Sequence, residues 1–289
     1  MKPLVIVGPT GAGKSAIAQE IAEEHGATIV SMDAMQVYRG FDIGTAKTTA
    51  AERARVPHAC IDVRDADETF SAADFVAEAT RIEASGVPML LVGGTTFYLR
   101  AWLFGLVDAP PVDAQLRARL EALADPHAAL LAVDPVLAAR LHPNDRVRLV
   151  RGLEIYALTG RRLSEMHDAD PWNRRDAELV CIDSPDLYTR IDARVDAMMQ
   201  AGYLREVEEL LRAGVSPDCK PMQSLGYRHL TAHVRGGVAL AEAVRLTKRD
   251  TRHFARKQRG FLRSWEILPS ADPVGDALAA AHRAFGSGP

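Results

Sequence analysis

The chain has 289 residues, 47% hydrophobic and 25% charged, with a formal net charge of −3. That is the make-up of an ordinary soluble globular protein of one large or two modest domains, and its slight acidity excludes a protein that holds nucleic acid by bulk positive charge alone. Cys60, Cys181 and Cys219 lie far apart without CxxC spacing, which excludes a disulfide framework and a zinc knuckle and fits a reducing cytoplasm; with no run of about 18 apolar residues, no membrane span is expected.

The first predicted element is "LVIV", residues 4–7, a continuous apolar run of the kind found in buried parallel strands. It stops too early for a signal-peptide core, which needs about 7–15 apolar residues. The stretch "VGPTGAGKSA" follows, and Gly8 to Ser15 match the pattern G-x-x-x-x-G-K-[ST]. Standing between an apolar strand and the helical period of "SAIAQEIAEEHG", the match has its confirming context. Gly8, Gly11 and Gly13 let the main chain wrap an anion with Pro9, Thr10 and Ala12 between them, and a helix opening near Lys14 adds its positive dipole end. Lys14 would reach terminal phosphates, and Ser15 would touch Mg²⁺. The loop is that of nucleotide- and ATP-binding proteins, yet by itself it does not say whose phosphates it holds.

"ATIVSMD" reads as a second strand ending at Asp33, and "VPHACIDV" (56–63) as a third. In a parallel sheet the carboxyl end of a strand faces the ligand crevice. Asp33 is therefore a candidate general base or orienter for an acceptor atom, or else a cap for the segment after it. Gln36 can pair with a base edge or stand exposed; Lys47 can add charge for an anion or be solvated. "SAADFVAEATRIEASG" (71–86) is a capped helix, opening on Ser71 with Asp74 at the third helical position and closing on Gly86. "PMLLVGGT" (88–95) is a further strand. It ends in Gly93, Gly94 and Thr95 with no acid to hold Mg²⁺, which speaks against a motor-type ATPase. Strands alternating with helices imply parallel βαβ units.

Between residues 109 and 170 the strand signal vanishes. Ala, Leu and Arg dominate, broken by Pro110, Pro111, Pro126, Pro135 and Pro143. The expectation is an all-helical insertion, residues 109–174, in a core made of residues 1–108 and 175–289. "AELVCIDS" (177–184) returns to strand character. Two long helical patterns follow, "DLYTRIDARVDAMMQAGYLREVEELLRAG" and "GVALAEAVRLTKRDTRHFARKQRGFLRSW", then a frayed tail, "AFGSGP". In the second pattern Arg245, Lys248, Arg249, Arg252, Arg256, Arg259 and Arg263 are spaced 3, 1, 3, 4, 3 and 4, which puts them on one helix face. Phe254 and Phe261 fall opposite, toward a core. With Asp250 the only acid in "RLTKRDTRHFARKQRGFLR", the stripe reads as a phosphate track; a solvated face normally mixes signs.

"GPTGAGKS", "SMDAMQVYRGFDIGTAK", "VGGTTFYLRA", "HPNDRVRLVRGLEIYALTG", "YTRIDARVDAMMQAGYLREVEEL", "SLGYR" and "RHFARKQRGFLR" stand in one order. Together, from about residue 4 to about 265, they resemble the tRNA dimethylallyltransferases, or tRNA isopentenyltransferases, of bacterial form, and no Cys/His set for the zinc finger of eukaryotic relatives is present. The resemblance implies a P-loop NTPase-like parallel sheet flanked by helices, with the insertion contacting tRNA. It implies that the cradle holds dimethylallyl diphosphate, with Mg²⁺, and that a five-carbon group moves to N6 of an adenine next to the anticodon (position 37). Asp33, Thr95 and Arg228 would be catalytic. The anticodon stem-loop would be contacted by Asp33, Ala34, Met35, Gln36, Arg117, Arg148, Arg151, Gln223, Gly226, Tyr227, Arg228, Arg256, Lys257, Gln258, Arg259, Phe261 and Arg263. Arg162 could also reach RNA. Two departures from the family pattern stand beside the basic insertion motif: Val147 where a glutamine is usual, and Gly152 where an alanine is. A cytoplasmic monomer is expected. The competing readings are a small-molecule kinase using ATP, a transferase that prenylates AMP, and a P-loop RNA-binding protein without catalysis. A kinase or an AMP enzyme would leave the basic helix idle; a non-catalytic binder would leave Asp33 unexplained.

Overall fold

The computed structural model describes residues 1–168 and 175–286. In chain order the elements are β1 (Leu4–Val7), α1 (Lys14–His25), β2 (Thr28–Met32), α2 (Ala50–Arg55), β3 (His58–Ala59), α3 (Ala72–Ala84), β4 (Met89–Gly93) and α4 (Thr96–Phe104). Then come α5 (Ala114–Glu121), α6 (Pro126–Val133), α7 (Pro135–Arg140), α8 (Arg146–Thr159) and α9 (Leu163–Asp168). The chain continues with β5 (Glu178–Cys181), α10 (Leu187–Gln200), α11 (Tyr203–Arg212), α12 (Tyr227–Val234), α13 (Leu240–Ser264) and α14 (Pro273–Phe285). No helix among the described residues is long and apolar enough to cross a membrane.

The five strands form one parallel sheet in the order β3-β2-β4-β1-β5. Leu4 to Val7 are fully buried, as a continuous apolar strand covered on both faces must be. The third strand is far shorter than its sequence run, because Cys60 and Asp62 adopt positive φ and break the ladder after Ala59. The 186–214 pattern is two helices, interrupted where Gly202 takes φ 104°. α3 carries the expected cap: Ser71 accepts from the Asp74 N–H, and the Asp74 carboxylate accepts from the Ser71 N–H. The tail is ordered further than expected, since Ala284 and Phe285 belong to α14; residues 287–289 of that expectation lie outside the described residues.

The chain divides into two compact units, Met1–Trp102 with Arg175–Pro289, and Leu103–Arg174. The first holds the sheet and a core that includes Leu4, Ile6, Ile21, Leu90 and Ile191. The second is helical, with its own small core of Leu130, Leu137, Ala138, Leu149 and Leu153. Residues 169–174 of the expected insertion lie outside the described residues. A parallel sheet collects the carboxyl ends of its strands on one edge. That edge therefore receives the loop after β1, Asp33 after β2 and Gly94–Thr95 after β4, with β4 lying between β1 and β2.

Candidate functional site

A cavity of about 990 Å³ opens at this edge in the first unit. Thr10, Gly11, Gly13, Lys14, Ser15, Asp33, Ala34, Met35, Gln36, Thr95, Gln223, Arg228, Lys257, Gln258 and Phe261, all anticipated from sequence, line it. Gly8, Pro9 and Ala12 complete the loop without lining the cavity.

The cradle takes its form from its glycines. Gly8 runs so close to β5 that an added Cβ would sit 1.9 Å from the Ile182 carbonyl oxygen. Gly13 has φ 97° and forms the N-cap of α1 without any side-chain cap. The first turn of α1 holds no acid, so its free N–H groups and dipole face the cavity uncompensated, as an anion site requires. Lys14 Nζ donates to the Pro9 carbonyl at 2.8 Å. Burial, then the neighbouring charge of Arg194, pull its pKa down to about 8, with Asp33 pulling the other way.

Two residues that the sequence reading missed complete this electrostatics. Arg194, on α10, donates through Nη2 to Thr10 Oγ1 at 2.7 Å. Burial lowers its pKa, and Asp33 opposes the shift. Arg190, one turn earlier, also lines the cavity and places Nη2 3.0 Å from where a Gly13 Cβ would stand. Their only sequence signal is the i, i+4 spacing on the helix that follows β5.

Asp33 fills both readings offered for it. Its Oδ1 accepts from the N–H groups of Met35 at 2.8 Å and Gln36 at 3.3 Å, the capping arrangement. Those bonds fix the carboxylate, while Oδ2 has no hydrogen-bond partner among the described residues. The carboxylate that caps the turn can thus also present an oxygen to the cavity. Thr95 is held by its N–H on the Met32 carbonyl at 3.2 Å and directly precedes α4. Arg228 stands at the wall, its Nη2 on Asp250 Oδ2 at 2.5 Å. Burial works against the Asp250 charge, but bonds from Arg249, Arg228 and His229 hold its carboxyl well below the usual range.

Several of the residues expected at the RNA or anion site are hydrogen-bonded within the protein. The Gln36 amide accepts from Ser31 Oγ and donates to the Thr45 and Ala46 carbonyls, tying β2 to the following loop. Lys47 is buried, bonded to the Tyr38 carbonyl, Asp42 and Asp62, and offers no charge to an anion. Gln258 accepts from the Thr10 N–H at 2.9 Å and donates to the Gly94 carbonyl at 2.7 Å, bracing the cradle against the loop after β4. Tyr227 is fully buried and donates to Glu206, which also accepts from the N–H groups of Asp42, Ile43 and Gly44. Gly226 is buried, with an added Cβ 2.4 Å from Tyr203 Oη. Gln36, Lys47 and Gln258 line the cavity while so engaged, and Tyr227 and Gly226 support it without lining it.

The basic stripe of α13 is largely neutralised. Arg245 pairs with Glu242, Lys248 with Asp196, Arg249 with Asp250, Arg252 with Asp192 and Arg259 with Asp183. Three of those acids, Asp183, Asp192 and Asp196, come from other elements, which is why the segment looked almost purely cationic. Arg256 and Arg263 are exposed and form no ion pair among the described residues. Phe254 and Phe261 do not enter a core: both line the cavity, Phe254 being 40% exposed. With Phe97, missed from sequence and 54% exposed, they give the cavity an aromatic side. The buried stripe of α13 is instead Ala243, Thr247, Thr251, Ala255, Gln258 and Leu262.

In the helical unit Arg117 and Arg151 both bind the fully buried Glu154, at 2.7 and 2.5 Å. A buried carboxylate needs such partners, so these arginines have a structural duty. Arg148 pairs with Asp145 at 3.1 Å and stays 73% exposed; Arg162 donates to the Val133 carbonyl and Glu165.

The family model for IPP transferase matches residues 36–265. The tRNA dimethylallyltransferase 1 of Citrifermentans bemidjiense is 46% identical over 270 residues, covering 89% of this chain and 88% of that protein. The tRNA dimethylallyltransferase of Geobacter metallireducens is 46% identical over 282 residues, covering 92% and 91%. Among solved structures, the full-length tRNA isopentenylpyrophosphate transferase of Bacillus halodurans is 34% identical, with a TM-score of 0.68 and coverage of 99% and 96%. A eukaryotic dimethylallyltransferase acting on tRNA is 26% identical, with a TM-score of 0.78 and coverage of 96% of this chain and 72% of that one.

Proposed function

The chain belongs to the IPP transferase family, and from that premise we infer that it is a tRNA dimethylallyltransferase, moving a dimethylallyl group from its diphosphate to N6 of the adenine beside the anticodon, position 37. The observation that carries the reading is one cavity that joins an uncapped, glycine-built anion cradle to the oriented carboxylate of Asp33.

The chemistry follows from those parts. The N6–C bond forms as the allylic C–O bond breaks; diphosphate departs with the electron pair, and N6 gives up one proton. Charge on the leaving diphosphate is the main quantity to stabilise, and preorganised donors do this best. The amides at Gly11 to Ser15, Lys14, Arg190 and Arg194 supply them, with Thr95 and Arg228 lining the same cavity. Asp33 accepts the N6 hydrogen in line with its free oxygen. Its other oxygen, tied to the Met35 and Gln36 N–H groups, fixes the carboxylate, so that Asp33 orients the amine as well as receiving its proton. The donor set suits Mg²⁺, because the groups around the cradle are hard oxygens, the Ser15 hydroxyl and the unpartnered oxygen of Asp33. Ser15 would hold the ion, whose chemistry is to neutralise the departing diphosphate.

Reaching this cavity requires the adenine to leave its stack, which costs least in an unpaired loop. Phe97, Phe254 and Phe261 offer apolar faces to an extruded base or to the prenyl chain. Arg148, Arg228, Arg256, Lys257 and Arg263 are exposed cations that the anticodon stem-loop could meet. An RNA substrate of this kind supports the cytoplasm as the site of action.

The test is incubation with labelled dimethylallyl diphosphate and either unmodified tRNA or AMP. Label in tRNA is the expected result. Label in AMP alone, or ATP turnover with no prenyl transfer, overturns the reading.

A further inference from the structure

A second cluster of chemistry-bearing side chains sits where α1 ends against α14. Glu24 and His25 close α1, and His282 lies in the last turns of α14. One ligating atom from each lies within 4.8 Å of the other two. His282 Nε2 and Glu24 Oε1 are 3.9 Å apart. His25 is only 8% exposed, and its Nε2 is buried without a hydrogen-bond partner among the described residues. The rings of His282 and Phe285 pack on it at 5.5 and 5.6 Å between centroids.

We propose that Glu24, His25 and His282 form a binding site for a divalent transition metal of the zinc type, remote from the catalytic cavity. Two imidazoles and one carboxylate select a borderline metal such as Zn²⁺ over Mg²⁺ or Ca²⁺, which prefer oxygen donors alone. Tetrahedral zinc at about 2.0–2.1 Å from each ligand sets its ligands about 3.3 Å apart. Bringing atoms that are 3.9 Å apart in one pair, and no more than 4.8 Å in any, to that spacing takes a side-chain movement, and Glu24 and His282 are about half exposed and free to make it. His25 is the fixed ligand, held by burial. Three protein ligands leave the fourth position to water.

The site's place in the fold defines its effect. α1 carries Lys14 at one end and His25 at the other, about 17 Å away at about 1.5 Å per residue. An ion there cannot touch the substrates. It pins the far end of the helix whose near end is the cradle, and ties it to α14.

The experiment uses the full chain, freed of metal with EDTA and then titrated with ZnCl₂ by calorimetry and thermal unfolding. Wild type should take up one equivalent and gain a few degrees in Tm. Cobalt should give the visible absorption of a four-coordinate N/O site. His282→Ala, and independently Glu24→Gln should that variant fold poorly, should weaken zinc binding at least fivefold and lose the Tm gain, whereas Cys219→Ser should keep both. A wild-type chain that binds no zinc, or variants that bind it less than fivefold more weakly, overturns the proposal. Because prenyl transfer is not the readout, failure here leaves the catalytic reading untouched.

Discussion

Two cationic regions of this molecule invite comparison. The cradle has three cations, Lys14, Arg190 and Arg194; Asp33 acts on two of them and Asp183 more weakly on Lys14. The outer face of α13 has seven, five of them matched to acids. The region that looks weaker in sequence is the stronger electrostatic device. Burial depresses Lys14 and Arg194, and that stored cost is relieved when an anion enters. The α13 cations already have partners, so an incoming phosphate gains only the difference between it and a carboxylate.

The largest effect should come from Asp33, the acid that acts on both Lys14 and Arg194. Asp33→Ala should lower turnover by about 10²–10⁴-fold, the range for a positioned acid–base group, while leaving tRNA affinity within a few fold. Single-turnover transfer and filter binding measure the two. Turnover near wild type would remove Asp33 from the chemistry. Next in size is Arg194→Ala, which should raise KM for dimethylallyl diphosphate by roughly 10–100-fold, the loss of about 1.4–2.8 kcal/mol from one charge-assisted contact, with KM for tRNA unmoved. An unchanged donor KM would mean that Arg194 only braces Thr10.

What could be read from sequence divides along the same line. The strand–loop–helix around Gly8–Ser15 was legible because its meaning is local: a few glycines and a lysine dictate the main-chain path. Asp33 was legible because strand polarity assigns its side of the sheet. The partners of α13 were not, because Asp183, Asp192 and Asp196 belong to distant elements, and periodicity along one helix says nothing of what packs against it. The same holds for Lys47, whose neutralising acids are brought in by the loop after β3 and by Asp42. Arg190 and Arg194 were hidden for the converse reason: in sequence they are unremarkable helix-surface charges, and only the packing of α10 beside the loop makes them part of the cradle.

Smaller, but specific to the cradle, is a pH effect. With Lys14 at about 8 in the free protein, a bound diphosphate favours the ammonium and raises that value. Binding must then take up a proton above pH 8. Donor affinity should be flat between pH 7 and 8 and fall by up to about tenfold per pH unit above it. The sign for folding is the reverse. The unfolded lysine, near 10.5, keeps its proton between pH 8 and 10.5 when the folded one has lost it. This group alone therefore makes the ligand-free protein more stable as pH rises through that window. Calorimetry of donor binding at pH 7 and 9, in buffers of different ionisation heat, reads the proton uptake directly. No uptake at pH 9 would place Lys14 outside the contact.

The smallest effects belong to α13, and they separate paired from unpaired cations. Replacing Arg256 and Arg263 together with Ala should weaken tRNA binding only a few fold at moderate salt. The slope of log affinity against log salt should flatten by about 1–2, since each lost phosphate contact removes roughly 0.7–0.9. Arg252→Ala with Asp192→Ala removes one charge of each sign, so the net field is unchanged and the slope should stay as in wild type. The cost is at most about 1 kcal/mol of stability, the usual worth of a partly exposed pair. If both double variants flatten the slope equally, the acids of α10 release their arginines to RNA, and the whole stripe, not its unpaired remnant, is the phosphate track.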